Sequence, residues 1–485
     1  MLSHAIKGLD AYLATASPGA KQVACIDVVV PTYRCNVEQL RRLCSLECLQ
    51  PASVHTILVV DQPTVSNLNE VRGLASYTAN RIVRVHVQEA NGGASFARNT
   101  GLAQSFGDYV VLLDDDVQPE PGLLDAYLGA IARHPGEAAY IGLTELPRPE
   151  TWVQCALKAC RICYFYGIAA LRQNPPWGVT ANMCVRGRTI SSSFEPFSSA
   201  YPRTGGGEDV DFCIRSQGAG HGKLVAVPAA KVLHPYWDAP FKQIAGWASG
   251  DVLCLSRLPQ VTFRAPPNWA ETALLCVLWE IAQLLLADGC FGAAPTSLGY
   301  VGPRWLLGCC STLGTVLWTV LSCVSLAAVI EVAMLFPRFY MFAEGLPKSR
   351  VFVALLATAP PMLQDLVRLH SKLRRGRLTE LCLHFDWMNA TGQHPAEISS
   401  NLCWKLAAWS VTLWAFQQPE SRERAITLLV ILYTGWVLRH CGTLMLGDWK
   451  RAIVRRPLDV DFEPGRVPFV VLAYQRTGTI PYLKP

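Results

Sequence analysis

The sequence predicts an α/β domain built on a mostly parallel sheet, followed by a helical membrane region. Three observations carry this expectation. Short β-branched runs alternate with helically spaced segments through the first 265 residues, and two of those runs end in acids. From about Pro266 onward, long apolar segments alternate with short basic connectors. Alternating strands and helices build βαβ units, whose ligands bind at the C-terminal ends of the strands.

"CIDVVVPTY" (25–33) reads as a buried parallel strand ended by Pro31. "VEQLRRLCSLECL" (37–49) has helical spacing, with Leu40, Leu43, Cys44 and Leu46 recurring near 3.6 residues. "VHTILVVDQP" (54–63) is a second strand, "ARNTGLAQSF" (97–106) a helix, and "YVVLLDDD" (109–116) a further strand. Asp61 and the trio Asp114–Asp116 therefore fall where an open α/β sheet binds its ligand.

Four later segments are candidate spans: 305–336, 351–367 (broken by Pro360 and Pro361), 402–416, and 425–447 with its Arg439 and His440. A span needs roughly 20 apolar residues. Segment 269–287 carries acids on one helical face and is expected to lie in the interface plane. The basic stretch 370–378 and the group Lys450, Arg451, Arg455 and Arg456 mark cytosolic sides, so an even number of spans separates them from a cytosolic first domain. The expected organisation is an N-terminal extension (1–24), an α/β domain (25–265), an interfacial region (266–304), about four spans (305–447) enclosing a cytosolic basic loop (368–401), and a tail (448–485). "NAT" (389–391) then lies in the cytosol, unglycosylated.

Composition agrees with a membrane protein. The 485 residues are 51% hydrophobic and only 16% charged, against roughly 25% charged for a soluble domain. A net charge of +6 without basic residues interleaved with aromatics argues against nucleic acid. The N-terminus lacks the apolar core of a signal peptide, which places the first domain in a reducing compartment. The 18 cysteines show no disulfide framework, and "CRIC" (160–163) reads as buried thiols ahead of a metal or redox pair.

Three adjacent aspartates at a strand end either cap the following turn or hold a divalent cation, which takes carboxylate oxygens and relieves their repulsion. Ordered motifs bear on that choice. "VVVPTYR" (28–34), "LVVDQP" (58–63), "NGGASFARNTG" (91–101), "LLDDD" (112–116) and "GGGEDVDFCIR" (205–215) resemble the family 2 glycosyltransferases of the GT-A fold, over about residues 25–260.

The resemblance implies a Rossmann-like nucleotide-sugar-binding domain, a cytosolic nucleotide-sugar donor (UDP favoured) and Mn²⁺ or Mg²⁺. By position, Pro31, Thr32 and Tyr33 match the loop that wraps the nucleotide, and Asp61 the acid that contacts uridine. Asn91, Gly92 and Arg98 match the segment flanking the nucleotide pocket. Asp114 and Asp116 match the D-x-D pair, with Asp116 a metal ligand, Asp114 shared between donor and metal, and Asp115 a bystander. Asp209 matches the catalytic base, with Glu208 positioning it or the acceptor; helix capping is the alternative role for both. Asn182 matches an acceptor contact, and His234 in "VLHPYW" (232–237) is either a metal or phosphate ligand or structural.

Processive members carry Q-x-x-R-W, whereas here "QIAGW" (243–247) keeps Gln243 and Trp247 as acceptor contacts and replaces the arginine with Gly246. Asp251 follows, adding an acid, and Gln62 stands where the family commonly has a second acid. With about four spans, the expectation is a multi-pass enzyme of the Golgi or plasma membrane that adds one or a few sugars to a carbohydrate or lipid-linked acceptor. The alternatives are a processive polysaccharide synthase, a noncatalytic donor-binding scaffold and, less well matched because no internal repeat is present, a transporter.

Overall fold

The computed structural model describes residues 25–49, 53–77, 81–187, 196–258, 262–264, 267–287 and 304–385, with a few isolated positions between 407 and 431. Within these, nine strands form one sheet in the order β3-β4-β2-β1-β5-β8-β7-β9-β6. They are β1 (Cys25–Thr32), β2 (Ser53–Val60), β3 (Ser76–Tyr77), β4 (Arg81–Val87), β5 (Tyr109–Leu113), β6 (Gln118–Pro119), β7 (Ala139–Glu145), β8 (Asn182–Arg186) and β9 (Leu224–Leu233). Six strands run one way; β3, β6 and β8 oppose them. The mostly parallel α/β sheet expected from the sequence is thus present.

Its centre is dry. Val28, Val29 and Val30 of β1, Ile57 and Leu58 of β2 and all five residues of β5 are buried. Each such aliphatic side chain contributes about 1.5–3 kcal/mol on burial. That apolar continuity is what lets β5 end in three carboxylates. After β1 the chain lays β2 and β4 on one side, and β5 on the other. The strand order therefore reverses between β1 and β5, and a crevice opens there at the strands' C-terminal ends.

Helices α1 (Val37–Cys44), α2 (Leu68–Arg72), α3 (Ala94–Ala103), α4 (Leu123–Arg133), α5 (Trp152–Cys160) and α6 (Glu208–Gly218) connect the strands, with a 3₁₀ turn at Tyr164–Ala170. Five more follow: α7 (Pro240–Arg257), α8 (Trp269–Ala287), α9 (Arg304–Phe342), α10 (Arg350–Leu356) and α11 (Ala359–Arg374). Two stretches are long and apolar enough to cross a membrane by length and composition: Val320–Phe342, of mean hydropathy 2.1, and Arg350–Arg374, of 1.2. The expected spans 402–416 and 425–447, the "NAT" site and the terminal segments 1–24 and 448–485 lie outside the described residues, apart from isolated positions.

Two details depart from the sequence reading. Segment 351–367 is not one helix broken by prolines; Pro360 and Pro361 occupy the first turn of α11, where a missing N–H costs no hydrogen bond. The polar face of α11 docks on the α/β domain. Arg368 pairs with Asp251 of α7 at 2.5 Å, and Lys372, only 1% exposed, pairs with Glu271 of α8 at 2.8 Å. Asp251 is therefore a docking point rather than an extra acid in the site. A short antiparallel pair, β10 (Thr262–Arg264) with β11 (Leu383–Phe385), closes the same contact. On another side, Cys155, Ala156 and Ala159 of α5 pack against Phe339, Ala343, Val353 and Ala354.

Removing one partner of a buried pair strands the other charge, at about 3–5 kcal/mol. Lys372→Ala is expected to lower the thermal midpoint of the detergent-solubilised chain well beyond Arg42→Ala, whose exposed pair with Glu38 is worth about 0–1 kcal/mol. Equal midpoints would show that α11 is not held by this contact.

Candidate functional site

The crevice is built where β1 and β5 end side by side. Two hydrogen bonds cross it. The Thr32 hydroxyl donates to Asp115 Oδ2 at 2.6 Å and accepts from Cys35 N at 3.1 Å, while Arg34 Nη1 donates to Asp116 Oδ2 at 2.7 Å. Asp115 thus braces its loop against β1 and is no bystander; burial pushes its carboxyl up to about 6. Thr32, itself buried, acts as a strut beneath the crevice. Tyr33 beside it is 55% exposed, an open aromatic face at the crevice mouth.

Asp114, Asp116 and His234 converge, their ligating atoms lying within 4.8 Å of one another. His234 follows β9 and is 2% exposed. Its Nδ1 lies 2.6 Å from the Pro235 carbonyl and must donate there, which turns Nε2 toward the acids. Nε2 lies 3.5 Å from Asp116 Oδ1 and 4.0 Å from Asp114 Oδ2. Asp116 Oδ1 is buried without a hydrogen-bond partner. An imidazole nitrogen facing two carboxylates, one with an orphaned oxygen, is a group that could hold a divalent cation. The second hydrogen bond of the histidine orients it as such sites require.

Asp114 has a further partner. Arg98 of α3 is buried and donates to Asp114 Oδ1 from Nη2 and to Glu208 Oε1 from Nη1, both at 2.9 Å. This guanidinium ties the cation cluster to the start of α6, where Asp209 sits. Burial, and next the neighbouring Glu208 carboxylate, raise the Asp209 pKa well above the ordinary carboxylate range. One Asp209 oxygen accepts from Val210 N at 2.9 Å, and Glu208 Oε2 accepts from Gly206 N. Both acids therefore also brace the helix start, Asp209 by accepting a first-turn N–H, although the N-cap itself is Gly207 and carries no side-chain cap.

The turn before them is glycine for a reason. Gly205, Gly206 and Gly207 all have positive φ (85°, 137° and 93°), a region that disfavours side chains. The turn lies directly on α7, where a Cβ at Gly250 would stand 1.9 Å from the Gly206 carbonyl oxygen. Gly246 belongs to the same contact: its Cβ would meet Thr204 Oγ1 at 3.2 Å. Gln243 Nε2 reaches the Thr204 carbonyl at 3.4 Å.

Other expected residues fall differently. Asp61 receives Gly92 N at 2.9 Å and Gly93 N at 2.8 Å, one on each carboxylate oxygen, so it pins the 91–93 loop over the crevice edge. Asn91 adds a second acceptor for Gly93 N, at 3.1 Å. Pro31 is half-buried in the last part of β1. Asn182 is a correction. It is fully buried, accepts from the Tyr127 hydroxyl at 2.7 Å, and donates to the Leu143 and Ala230 carbonyls at 3.1 and 2.9 Å. With its amide saturated inside the sheet it offers nothing to an acceptor.

Trp247 is half-buried and meets Phe165 and Trp237 edge to face, with centroids 5.3 and 5.1 Å apart. Tyr166 stacks obliquely on His234 at 5.3 Å and lies within the electrostatic reach of Asp114, Asp116 and Asp209 alike. Phe165, Tyr166, Trp237 and Arg34 were not singled out from the sequence. The aromatic run "CYFYG" (163–167) was the available signal for the first two. The "CRIC" cysteines Cys160 and Cys163 carry no disulfide.

Over residues 27–149 the chain matches the family described as Glycosyl transferase family 2. The α/β domain thus resembles that family over this segment, about a quarter of the chain. The match takes in Asp61, Arg98 and Asp114–Asp116, and ends before Asp209 and His234. Among curated proteins, the succinoglycan biosynthesis protein ExoW of Rhizobium meliloti (strain 1021) is 35% identical over 109 residues, 22% of this chain and 34% of that protein. The chain thus spans about a third of the length of this relative. Among solved structures, the mannosyltransferase PcManGT from Pyrobaculum calidifontis, in complex with GDP-Man and Mn²⁺, is 15% identical over 68% of this chain and 95% of its own, with a TM-score of 0.39. The glucosyl-3-phosphoglycerate synthase from Mycobacterium tuberculosis, in complex with phosphoglyceric acid, is 19% identical over 51% and 89%, with a TM-score of 0.36.

Asp116→Asn and His234→Ala are each expected to weaken Mn²⁺ binding, read by titration calorimetry with nucleotide present, by at least about tenfold, as even outer-shell changes do. Gln243→Ala, which removes an amide that reaches the Thr204 carbonyl and is no member of the donor set, is expected to leave it unchanged. Unaltered binding in both ligand variants would remove the cation from this cluster.

Proposed function

We propose that the protein is a membrane-bound, inverting glycosyltransferase that moves a sugar from a nucleotide-diphosphate donor, a UDP-sugar by preference, to a hydroxyl of a carbohydrate or lipid-linked acceptor. The observation that carries this reading is the buried Arg98 bridge, which joins the cluster Asp114–Asp116–His234 to the turn bearing Asp209. A diphosphate leaving group and a proton acceptor are needed on either side of one anomeric carbon, and the bridge links the two sets of groups that serve them.

Asp209 is the base. An acceptor hydroxyl attacks the anomeric carbon while its proton passes to an Asp209 carboxylate oxygen; the bond to the donor's diphosphate breaks on the opposite face. One such displacement inverts the centre. A raised pKa makes Asp209 a stronger proton acceptor once ionised. Glu208, paired with Arg98, holds the turn and keeps Asp209 in register. Mn²⁺ or Mg²⁺ held by Asp114, Asp116 and His234 would supply Lewis-acid stabilisation of the departing diphosphate. Tyr33 offers its exposed ring to the nucleotide, next to the loop pinned by Asp61. The exposed guanidinium of Arg34, which pairs with Asp116, provides a cation for the phosphates. Trp247, with Gln243, offers a stacking platform for the acceptor ring.

The membrane reading rests on Val320–Phe342, whose most apolar stretch is only 11% buried within the protein, and on the basic stretch at 370–378, which favours a cytosolic catalytic domain; the Golgi or plasma membrane is the proposed location. Glycine at 246 favours one or a few transfers over processive synthesis. A noncatalytic scaffold would keep the cluster without need of Asp209.

The test is nucleoside diphosphate release by the detergent-purified chain from a panel of UDP- and GDP-sugars, with Mn²⁺ and with EDTA. Release from one donor, lost with EDTA and reduced about 10²–10⁴-fold in Asp209→Asn, is the expected result. Full turnover in Asp209→Asn removes the proposed base. Metal-dependent nucleotide binding without turnover on any acceptor tried supports the scaffold instead.

The pH dependence has a definite sign. Only ionised Asp209 accepts a proton, so the rate rises with pH through its raised pKa. The acid limb of kcat is expected well above the value of about 3.9 for an ordinary aspartate. A limb near pH 4 would assign the proton to another group.

A further inference from the structure

We propose that Cys25, Asp27 and His55 form a zinc site at the opposite end of the sheet from the sugar-transfer crevice. The sheet itself assembles the three groups. Cys25 and Asp27 are two residues apart on β1 and so share a face. His55 of β2 stands opposite Asp27 in the parallel register. No loop rearrangement is needed to bring them together.

Their spacing is that of ligands around a small cation. Cys25 Sγ lies 3.2 Å from His55 Nδ1 and 3.5 Å from Asp27 Oδ1, and Nδ1 lies 3.3 Å from Oδ1. Tetrahedral zinc bonds of about 2.3 Å to sulfur and about 2.0–2.2 Å to nitrogen and oxygen set ligand–ligand edges of roughly 3.4–3.6 Å. The observed triangle differs from that by a few tenths of an ångström. The donor set of thiol, imidazole and carboxylate suits zinc, which is borderline-soft, over magnesium or calcium, which take oxygen.

Asp27 supplies the second observation. It is fully buried, and its Oδ2 accepts the backbone N–H groups of Phe106 and Gly107, the latter at 2.8 Å. That orients the carboxylate and leaves Oδ1 turned toward Cys25 and His55, as the hydrogen-bonded carboxylates of metal sites are. Cys25 and His55 are only partly buried, which leaves a path for the ion and room for water as the fourth ligand. The site would clamp the amino-terminal ends of β1 and β2. Since β1 is eight residues long, it lies about 20 Å from the crevice.

Cobalt(II) separates this site from the crevice cluster, because Asp114, Asp116 and His234 contain no sulfur. The full chain, stripped with chelator and titrated with Co²⁺, is expected to show a thiolate-to-cobalt charge-transfer band that saturates at one equivalent and is displaced by Zn²⁺. Cys25→Ser and His55→Ala should each abolish the band and lower the retained zinc by one atom per chain, with circular dichroism reporting the fold. Cys160→Ser should leave the band unchanged. No thiolate band in the unmodified chain, or a band that survives Cys25→Ser and disappears in Cys160→Ser, overturns the proposal. The unmodified chain decides even where a variant fails to fold. A retained His55–Asp27 contact without cobalt absorption would overturn the proposal and mark the cluster as purely structural.

Discussion

The buried guanidinium of Arg98 is the interaction on which the rest of the crevice depends. Asp114 and Glu208 would repel if brought together alone, yet they come from strands and helices that the fold places side by side. Arg98 makes them compatible by donating to both at 2.9 Å. Buried ion networks of this kind add little net stability over an apolar replacement, because desolvation offsets the attraction. Their effect is on geometry. Shortening Arg98 would leave two carboxylates facing each other at low dielectric, and either the end of β5 or the start of α6 would have to move. The register between the cation cluster and Asp209 is therefore set by one residue on α3.

A second constraint comes from backbone packing. The turn Gly205–Gly207 adopts three consecutive positive φ values and lies on α7 through Gly246 and Gly250, one helical turn apart. Side chains at these positions would lift the turn, and Glu208 and Asp209 with it. Helix α7 is held in its turn by α11, through Asp251 with Arg368. A continuous chain of contacts thus runs from the C-terminal helices, through the glycine seam, to Asp209. Helix α11 and the turn that bears Asp209 are mechanically one unit.

Much of this was legible in the sequence, and the limits have physical reasons. β1, β2 and β5 announced themselves because buried parallel strands are runs of β-branched residues, and the acids at their ends followed from where such strands end. His234 was ambiguous as a lone histidine; only its Nδ1 contact with Pro235 shows which nitrogen faces the acids. Asn182 misled because a motif cannot show that an amide is saturated by Tyr127 and two carbonyls. Asp251 misled for the same reason, since its partner lies 117 residues away. Phe165 and Tyr166 sit in a short 3₁₀ turn with no period to read, and their place beside Trp237 and Trp247 is a tertiary fact. Hydropathy marked 351–367 as a span, and Arg350–Arg374 is apolar enough to cross, but hydropathy does not register that Arg368 and Lys372 find buried partners.

The pairing of Asp251 also changes the meaning of the altered Q-x-x-G-W stretch. From sequence, the site loses a cation at 246 and gains an acid at 251. In the folded chain Arg368 neutralises that acid, so the acceptor side loses one positive charge and gains none of the opposite sign. Under the proposed function, the acceptor meets Trp247, backed edge-on by Phe165 and Trp237, with the Gln243 amide on the same helix. Of the exposed cations nearby, Arg34 lies against Asp116 and Arg203 beside Asp61. A neutral aromatic platform grips a sugar ring by apolar contact, which is worth little per ring and is released readily. Under the proposed function, charge recognition belongs to the diphosphate and shape recognition to the acceptor. That division favours letting the product go after transfer over holding it for another round.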